Sequence, residues 1–85
     1  MTERIELPHG SGVGRALHFE AEDDDHWAVV WADPSDAYQY AYNVRAEFHN
    51  ADRAMSVKVL PRKLRADHLA MEVFVVAVRP RGTHV

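Results

Sequence analysis

Apolar and polar residues alternate with a period of two along most of this chain, and this alternation restricts its fold more than any other feature. Residues 26–32, 37–49 and 54–60 place apolar or aromatic side chains at every second position, residues 13–20 do so except at Arg15, and residues 69–79 are apolar at nearly every position. Alternation of this kind is typical of half-buried β-strands, and a continuous apolar run is typical of a strand covered on both faces. The chain is therefore predicted to be rich in β-strands.

The pattern predicts an all-β fold: a small antiparallel sandwich or open barrel of five to six strands. Residues 4–7 would supply the sixth strand, at an edge. The connection at residues 61–68 is ambiguous, because Leu60, Leu64 and Leu69 have near-helical spacing. The alternative prediction is an α+β fold, in which one helix around residues 62–71 packs on a sheet of four or five strands.

The same alternation predicts two hairpins. In the first, the turn is centred on Asp23 and Glu20 faces His26, which gathers the large apolar side chains on one face. In the second, Phe48 faces Met55 across a turn, and a slip of one residue would mix apolar and charged side chains.

Composition limits the class of protein. The chain has 85 residues with 47% hydrophobic and 27% charged side chains, which is ordinary for one globular domain spanning residues 1–85. It has no Cys, which excludes a disulfide scaffold and any zinc site with cysteine ligands. The N-terminus has no apolar segment typical of a signal peptide, and no apolar run approaches the roughly 20 residues that span a bilayer. We expect a protein that is cytoplasmic or part of a larger soluble assembly, without a membrane partner.

Charge is distributed unevenly along the chain. Residues 1–42 carry nine acidic and two basic side chains, whereas residues 43–85 carry four acidic and eight basic ones. Two halves of opposite charge can neutralise each other within one domain, or they can join copies head to tail. Asp23, Asp24 and Asp25 would then meet three basic residues of a neighbouring copy, Arg62, Lys63 and Arg65.

Three polar residues of the first predicted hairpin form a candidate metal site. His18, Glu20 and His26 would share one sheet face in the predicted register. Two histidines and one carboxylate can bind Zn or non-haem Fe and leave a position for water or substrate. Alternating polar residues on a solvent-exposed face would give the same pattern.

Three tyrosines at alternate positions form a candidate interface. Tyr38, Tyr40 and Tyr42 would share one face of the predicted third strand as an aromatic stripe, and such stripes are enriched in interfaces. A stripe at the end of the core, with its hydroxyl groups in water, is the alternative. No serine lies in a G-x-S-x-G motif, and no catalytic residue is proposed.

These observations predict three functions, of which a non-enzymatic structural or protein-interaction module that self-assembles comes first. Its interface would combine the tyrosines with the oppositely charged residues named above. The second is a metal-binding domain or enzyme that uses the two histidines and the carboxylate. The third is a nucleic-acid-binding β-barrel, for which the basic residues and tyrosines would supply phosphate contacts and base stacking, although the net charge of −3 opposes it.

Overall fold

The structure is a computed structural model that describes residues 5–10 and 12–82. Its elements in chain order are β1 (His18–Asp23), β2 (His26–Trp31), α1 (Pro34–Asn50), β3 (Met55–Ala66) and β4 (Leu69–Pro80). The four strands form one antiparallel sheet in the order β1-β2-β4-β3. Helix α1 therefore connects two strands that are not neighbours, and β4 pairs with both of them. The domain is mostly sheet and belongs to the α+β class.

The prediction of five to six strands is not confirmed, because residues 5–10 and 12–82 contain four strands and one helix. The α+β alternative fits, but its helix is at residues 34–50 and not around residues 62–71, where the chain forms a hairpin. Of the predicted edge strand at residues 4–7, residue 4 lies outside the described residues and residues 5–7 are not in a strand.

Helix α1 forms because its sequence contains a strong start signal and a helical apolar stripe. Asp33 is the N-cap, its side chain accepts a hydrogen bond from the backbone N–H of Ser35, and Pro34 opens the first turn. The buried residues recur at spacings of three and four, which places them on one face of a helix; they are Ala37, Tyr40, Ala41, Val44 and Phe48. The predicted strand at residues 37–49 is therefore wrong.

The helix ends in a Schellman motif at the segment that was predicted to be a hairpin turn. The N–H of Arg53 donates to the carbonyl of Phe48 (2.9 Å), and the N–H of Asp52 donates to the carbonyl of His49 (3.1 Å). The residue in the left-handed conformation is Asp52, with φ at 58°. Glycine usually occupies this position because it has no Cβ to clash with the backbone.

Replacing Asp52 with glycine should raise the free energy of unfolding by about 0.5–1 kcal/mol, because it removes the cost of a side chain at positive φ. Urea denaturation of the variant and the wild type measures the difference. Asp24→Gly is the matched control: Asp24 is an exposed turn residue that is not among the residues at positive φ. The control should lose a few tenths of a kcal/mol through chain entropy. An equal gain in both variants would contradict the explanation.

The first hairpin has the predicted faces but a different register. β1 and β2 pair Phe19 with Val29 and Glu20 with Ala28, which is two residues from the predicted alignment. A shift of two residues keeps every side chain on its face, so the hydrophobic pattern cannot distinguish the two registers. The alignment that forms places two residues in the turn and has an irregularity between Ala21 and Asp23.

β3 and β4 form a long hairpin with twelve paired positions. Its two-residue turn consists of Asp67 and His68, both at positive φ (49° and 69°), as in the type I′ turns that suit the twist of hairpins. β2 pairs with β4 only from Trp27–Val78 to Trp31–Phe74. Residues 62–73 therefore extend beyond the sheet as a two-stranded ribbon, which we call the ribbon.

The core lies between α1 and one face of the sheet, and the N-terminal segment closes it. The Trp27 indole N–H donates to the Tyr40 hydroxyl (2.9 Å), which in turn donates to the carbonyl of Pro8 (2.8 Å). Gly10 is buried beside this contact, where an added Cβ would overlap the ring of Tyr40. The His9 ring stacks on Trp27 with 6.0 Å between ring centroids. In the described part of the chain, no helix combines the length and apolar character needed to cross a membrane.

Candidate functional site

The sheet face opposite α1 is covered by no other helix or strand of the described residues. The helix and the N-terminal segment pack against the other face, where the buried core is gathered. Strand alternation places five half-buried apolar side chains at the centre of the uncovered face: Ala28, Val30, Leu60, Val75 and Ala77. We call this surface the uncovered face.

The apolar surface continues onto the ribbon, where it becomes exposed. Leu64 and Met71 are direct cross-strand partners, and they are 49% and 43% exposed. Leu69 follows on the same side, at 73% exposure. Val73 belongs to this side as well but is only 1% exposed, so it is not part of the exposed surface. Three large apolar side chains on one side of a protruding ribbon form a patch typical of protein contacts.

The uncovered face also contains a hollow with a volume of about 260 Å³. Ala28 and Ala77 pair directly and form its floor, because their small side chains leave space between larger neighbours. Glu20 on β1 pairs with Ala28, and Lys58 on β3 pairs with Ala77. The two charged residues therefore lie on opposite sides of the alanine pair. The hollow therefore has an apolar floor, an acidic rim towards β1 and a basic rim towards β3.

Two features block the outer edge of β3 against pairing with another strand. The backbone N–H of Arg81 donates to the carbonyl of Ala54, so even-numbered residues of β3 are the ones whose backbone groups bond to β4. The backbone N–H and C=O groups of the odd-numbered residues therefore point away from β4, towards the outer edge. Of these, the Val57 carbonyl accepts a hydrogen bond from the Arg45 guanidinium (2.7 Å), and Pro61 has no N–H to donate. Edge strands are commonly protected in this way against pairing with other chains.

The predicted metal ligands lie on the uncovered face, but they do not come together as a set of three. Nε2 of His18 is 3.1 Å from a carboxylate oxygen of Glu20, whereas Nδ1 of His26 is 3.7 Å from Glu22. The two-residue difference in register separates Glu20 from His26. Among the residues that the structure describes, no three His, Cys, Asp or Glu side chains form a group that could hold a metal ion.

The three tyrosines do not form the predicted stripe, because the segment is a helix and alternate residues of a helix face different directions. Tyr40 is fully buried in the core, and burial raises its pKa to about 12, although the hydrogen bond from Trp27 lowers the pKa somewhat. Tyr38 and Tyr42 lie one helical turn apart on the outer face of α1, at 60% and 67% exposure.

The acidic turn that was predicted to meet a neighbour has partners within its own chain. The carboxylate of Asp25 forms an ion pair with Arg53, next to the end of α1. An oxygen of Asp23 accepts a hydrogen bond from the backbone N–H of Asp25 (2.8 Å), and Asp24 is exposed. The turn is therefore at least partly neutralised inside the monomer.

The basic residues assigned to the same interface lie on the ribbon. Arg62 shares a side with the apolar patch, whereas Lys63 and Arg65 alternate to the opposite side. All three are exposed, and β3 contains no acidic residue. The tyrosines of α1 lie on a different surface, so the base-stacking and phosphate-binding groups of the predicted nucleic-acid site do not share one groove.

A second basic surface lies between the end of α1 and the start of β3. This groove has a volume of about 580 Å³, and its basic lining residues are Arg45, His49, Arg53, Lys58 and Arg81. Part of this charge is already used within the chain, because Arg45 caps the edge of β3 and Arg53 pairs with Asp25. Basic residues near a helix C-terminus also stabilise the helix dipole.

Sequence reasoning missed the exposed apolar residues of the ribbon. Leu64, Leu69 and Met71 were assigned to a connection or to a covered strand, so their shared side was not recognised. The available signal was Asp67–His68 acting as a two-residue turn, which aligns Leu64 with Met71.

Comparison with protein-family models, with curated proteins and with solved structures finds no match for this chain. Function is therefore inferred from the residues and their geometry.

Proposed function

We propose that this protein is a non-enzymatic protein-interaction module that self-associates through the uncovered face and the ribbon. The observation that carries the proposal is the patch of Leu64, Leu69 and Met71 on one side of the ribbon. A two-stranded ribbon is marginally stable in water unless another surface covers its apolar side. Association would cover that side and gain the free energy of apolar burial.

The proposal moves the expected interface from the tyrosines to the sheet. Tyr40 packs inside the monomer, where it has no surface to offer a partner. Tyr38 and Tyr42 remain exposed, but they lie on a helix whose opposite face already packs in the core. The patch on the ribbon continues into the half-buried apolar centre of the uncovered face, so these apolar residues share one side of the sheet.

The test is sedimentation velocity together with native mass spectrometry. We expect wild-type protein to exceed the monomer mass of 9.7 kDa. Replacing both Leu64 and Met71 with aspartate should weaken association by about 100-fold or more, because carboxylates would be buried in an apolar contact. Both substitutions are at exposed positions, and circular dichroism will show whether the monomer fold is kept.

The matched control is the double variant Tyr38→Ala and Tyr42→Ala, which removes the exposed aromatic side chains of α1. We expect this variant to associate as the wild type does. Loss of association in the tyrosine variant alone would place the interface on the helix. A monomeric wild type would contradict the proposed function itself.

A further inference from the structure

Several parts of the chain bring basic side chains to the groove between the end of α1 and the start of β3, which we call the basic groove. Arg45 and His49 lie one turn apart on α1 and share a side of the helix. Arg53 follows in the turn after α1, Lys58 is on β3, and Arg81 follows β4. None of the described side chains that line the groove is acidic. The groove therefore has one sign of charge, in a chain whose net charge is −3.

Ion pairs within the chain do not neutralise this charge. Arg53 forms an ion pair with Asp25, and among the described residues no other Arg or Lys side chain forms one. Arg45, Lys58 and Arg81 therefore have no carboxylate partner in that part of the chain. Like charges that lie close together repel each other, so an anion in the groove would be bound favourably.

The end of the helix does not use these basic side chains as caps. Basic side chains near a helix C-terminus can hydrogen-bond the last carbonyls. Here backbone N–H groups of the Schellman turn already donate to the carbonyls of Glu47, Phe48 and His49. The donors of the basic side chains remain available to a ligand.

Two of the guanidinium groups are held in place before any ligand arrives. Arg45 donates to the carbonyl of Val57 (2.7 Å). Arg53 pairs with Asp25, and its guanidinium carbon lies 5.6 Å from the centroid of the Phe48 ring. A guanidinium has several N–H donors, so each group keeps donors after these contacts. Fixed guanidinium groups lose little freedom on binding, and their planar geometry matches the oxygens of phosphate.

The size and lining of the groove favour a small molecule over a nucleic acid. Its volume of about 580 Å³ is in the range of sites for small ligands. Single-stranded nucleic acids need exposed aromatic faces on which bases stack. The Phe48 ring in the lining is only 5% exposed and already packs against Arg53, and the exposed tyrosines of α1 do not line the groove. Several cations in one groove match several phosphates in one molecule.

We infer that the basic groove is a binding site for a small soluble molecule that carries two or more phosphate groups. In the complex, Arg45 and Arg53 donate to phosphate oxygens from fixed positions. Lys58 and Arg81 are exposed at the groove and add charge around the ligand. The site is separate from the apolar patch of the ribbon, so the inference does not depend on self-association.

Isothermal titration calorimetry at 0.1 M ionic strength, with inorganic triphosphate as the probe, tests the site. We expect the wild type to bind a single triphosphate per chain. The double variant Lys58→Gln and Arg81→Gln should bind at least about tenfold more weakly, because two cations of the groove are removed. Both residues are exposed and have no ion pair within the described residues, so circular dichroism should show an unchanged fold.

The matched control is the double variant Lys63→Gln and Arg65→Gln. It also removes one lysine and one arginine from exposed positions, but on the ribbon. It should bind triphosphate within about twofold of the wild type, because exposed charges more than about 10 Å away are largely screened at this ionic strength.

Amide NMR spectra recorded during the same titration locate the site without any variant. Signals of residues 45–58 and 81 should shift, whereas those of the ribbon should stay in place. Adenosine triphosphate is titrated in parallel to separate nucleotides from free polyphosphate as the source of the phosphate groups, and saturable binding of either at the groove supports the inference.

Three outcomes would overturn the inference. The first is a wild type that binds neither triphosphate probe. The second is an equal loss of affinity in the two double variants, because the groove would then contribute no more than any exposed basic residues. The third is tighter binding of a single-stranded oligonucleotide than of triphosphate, which would assign the groove to a nucleic-acid backbone.

Discussion

The free energy of unfolding is expected to fall by about 2–3 kcal/mol when Tyr40 is replaced with phenylalanine. The ring would still fill the core, so the loss comes from the hydroxyl group. That hydroxyl accepts from the indole N–H of Trp27 and donates to the carbonyl of Pro8. Trp27 is buried, so removing its acceptor leaves an unsatisfied donor away from water.

Urea denaturation at neutral pH measures this loss, and Tyr42→Phe is the matched control. Tyr42 has the same chemistry on the exposed face of α1, so its variant should stay within about 0.5 kcal/mol of the wild type. The loss at Tyr40 should also loosen the N-terminal segment, because Pro8 would no longer be bonded to the helix. Faster amide hydrogen exchange near Gly10 would report this. Equal stability of the two variants would contradict the role given to the Tyr40 hydroxyl.

The sequence located β2 and β4 well, because their alternating or continuous apolar patterns are compatible with few other positions of a strand. Residues 26–32 were predicted as a strand, and β2 occupies His26–Trp31. Residues 69–79 were predicted as a covered strand, and β4 occupies Leu69–Pro80 at the centre of the sheet. β2 and residues 74–78 of β4 lie between two neighbouring strands, and burial determines their position. The prediction that β4 is covered on both faces is wrong, because Leu69 and Met71 are exposed on the ribbon.

Helix α1 was missed because its residues satisfy two periodicities at once. Tyr38, Tyr40 and Tyr42 alternate as they would in a strand, whereas the residues that are buried recur at helical spacing. Periodicity alone cannot decide between the two readings when apolar residues are this dense. The local chemistry of Asp33 and Pro34 was the deciding signal, because an N-cap followed by proline starts a helix.

The interaction surface was harder to predict than the fold, because it depends on which side of a hairpin stays uncovered. Sequence reasoning expected opposite charges to be joined between copies, and it placed the acidic partner at Asp23, Asp24 and Asp25. The structure instead pairs Asp25 within its own chain, because the end of α1 brings Arg53 next to it. The acidic residues that face outward beside the hollow are those of β1, Glu20 and Glu22.

Alkaline pH is expected to destabilise the protein through Tyr40. Burial raises the pKa of Tyr40 to about 12, from 10.0 in the unfolded chain, because the phenolate is poorly solvated in the core. The folded state therefore holds the proton more tightly. The resulting stability is fully present below pH 10 and is lost as the pH rises through 12, where the loss reaches about 2 kcal/mol.

Comparison of the wild type with Tyr40→Phe isolates this effect from other groups that titrate at high pH. The stability difference between the two proteins should be constant up to about pH 10 and should then shrink by about 2 kcal/mol towards pH 12. The absorbance of tyrosinate provides an independent readout, because the wild-type minus variant difference titrates with the Tyr40 hydroxyl alone. A midpoint of that difference near pH 10 would show that the hydroxyl is solvated in the folded state. Such a result would contradict the burial of Tyr40 in the core.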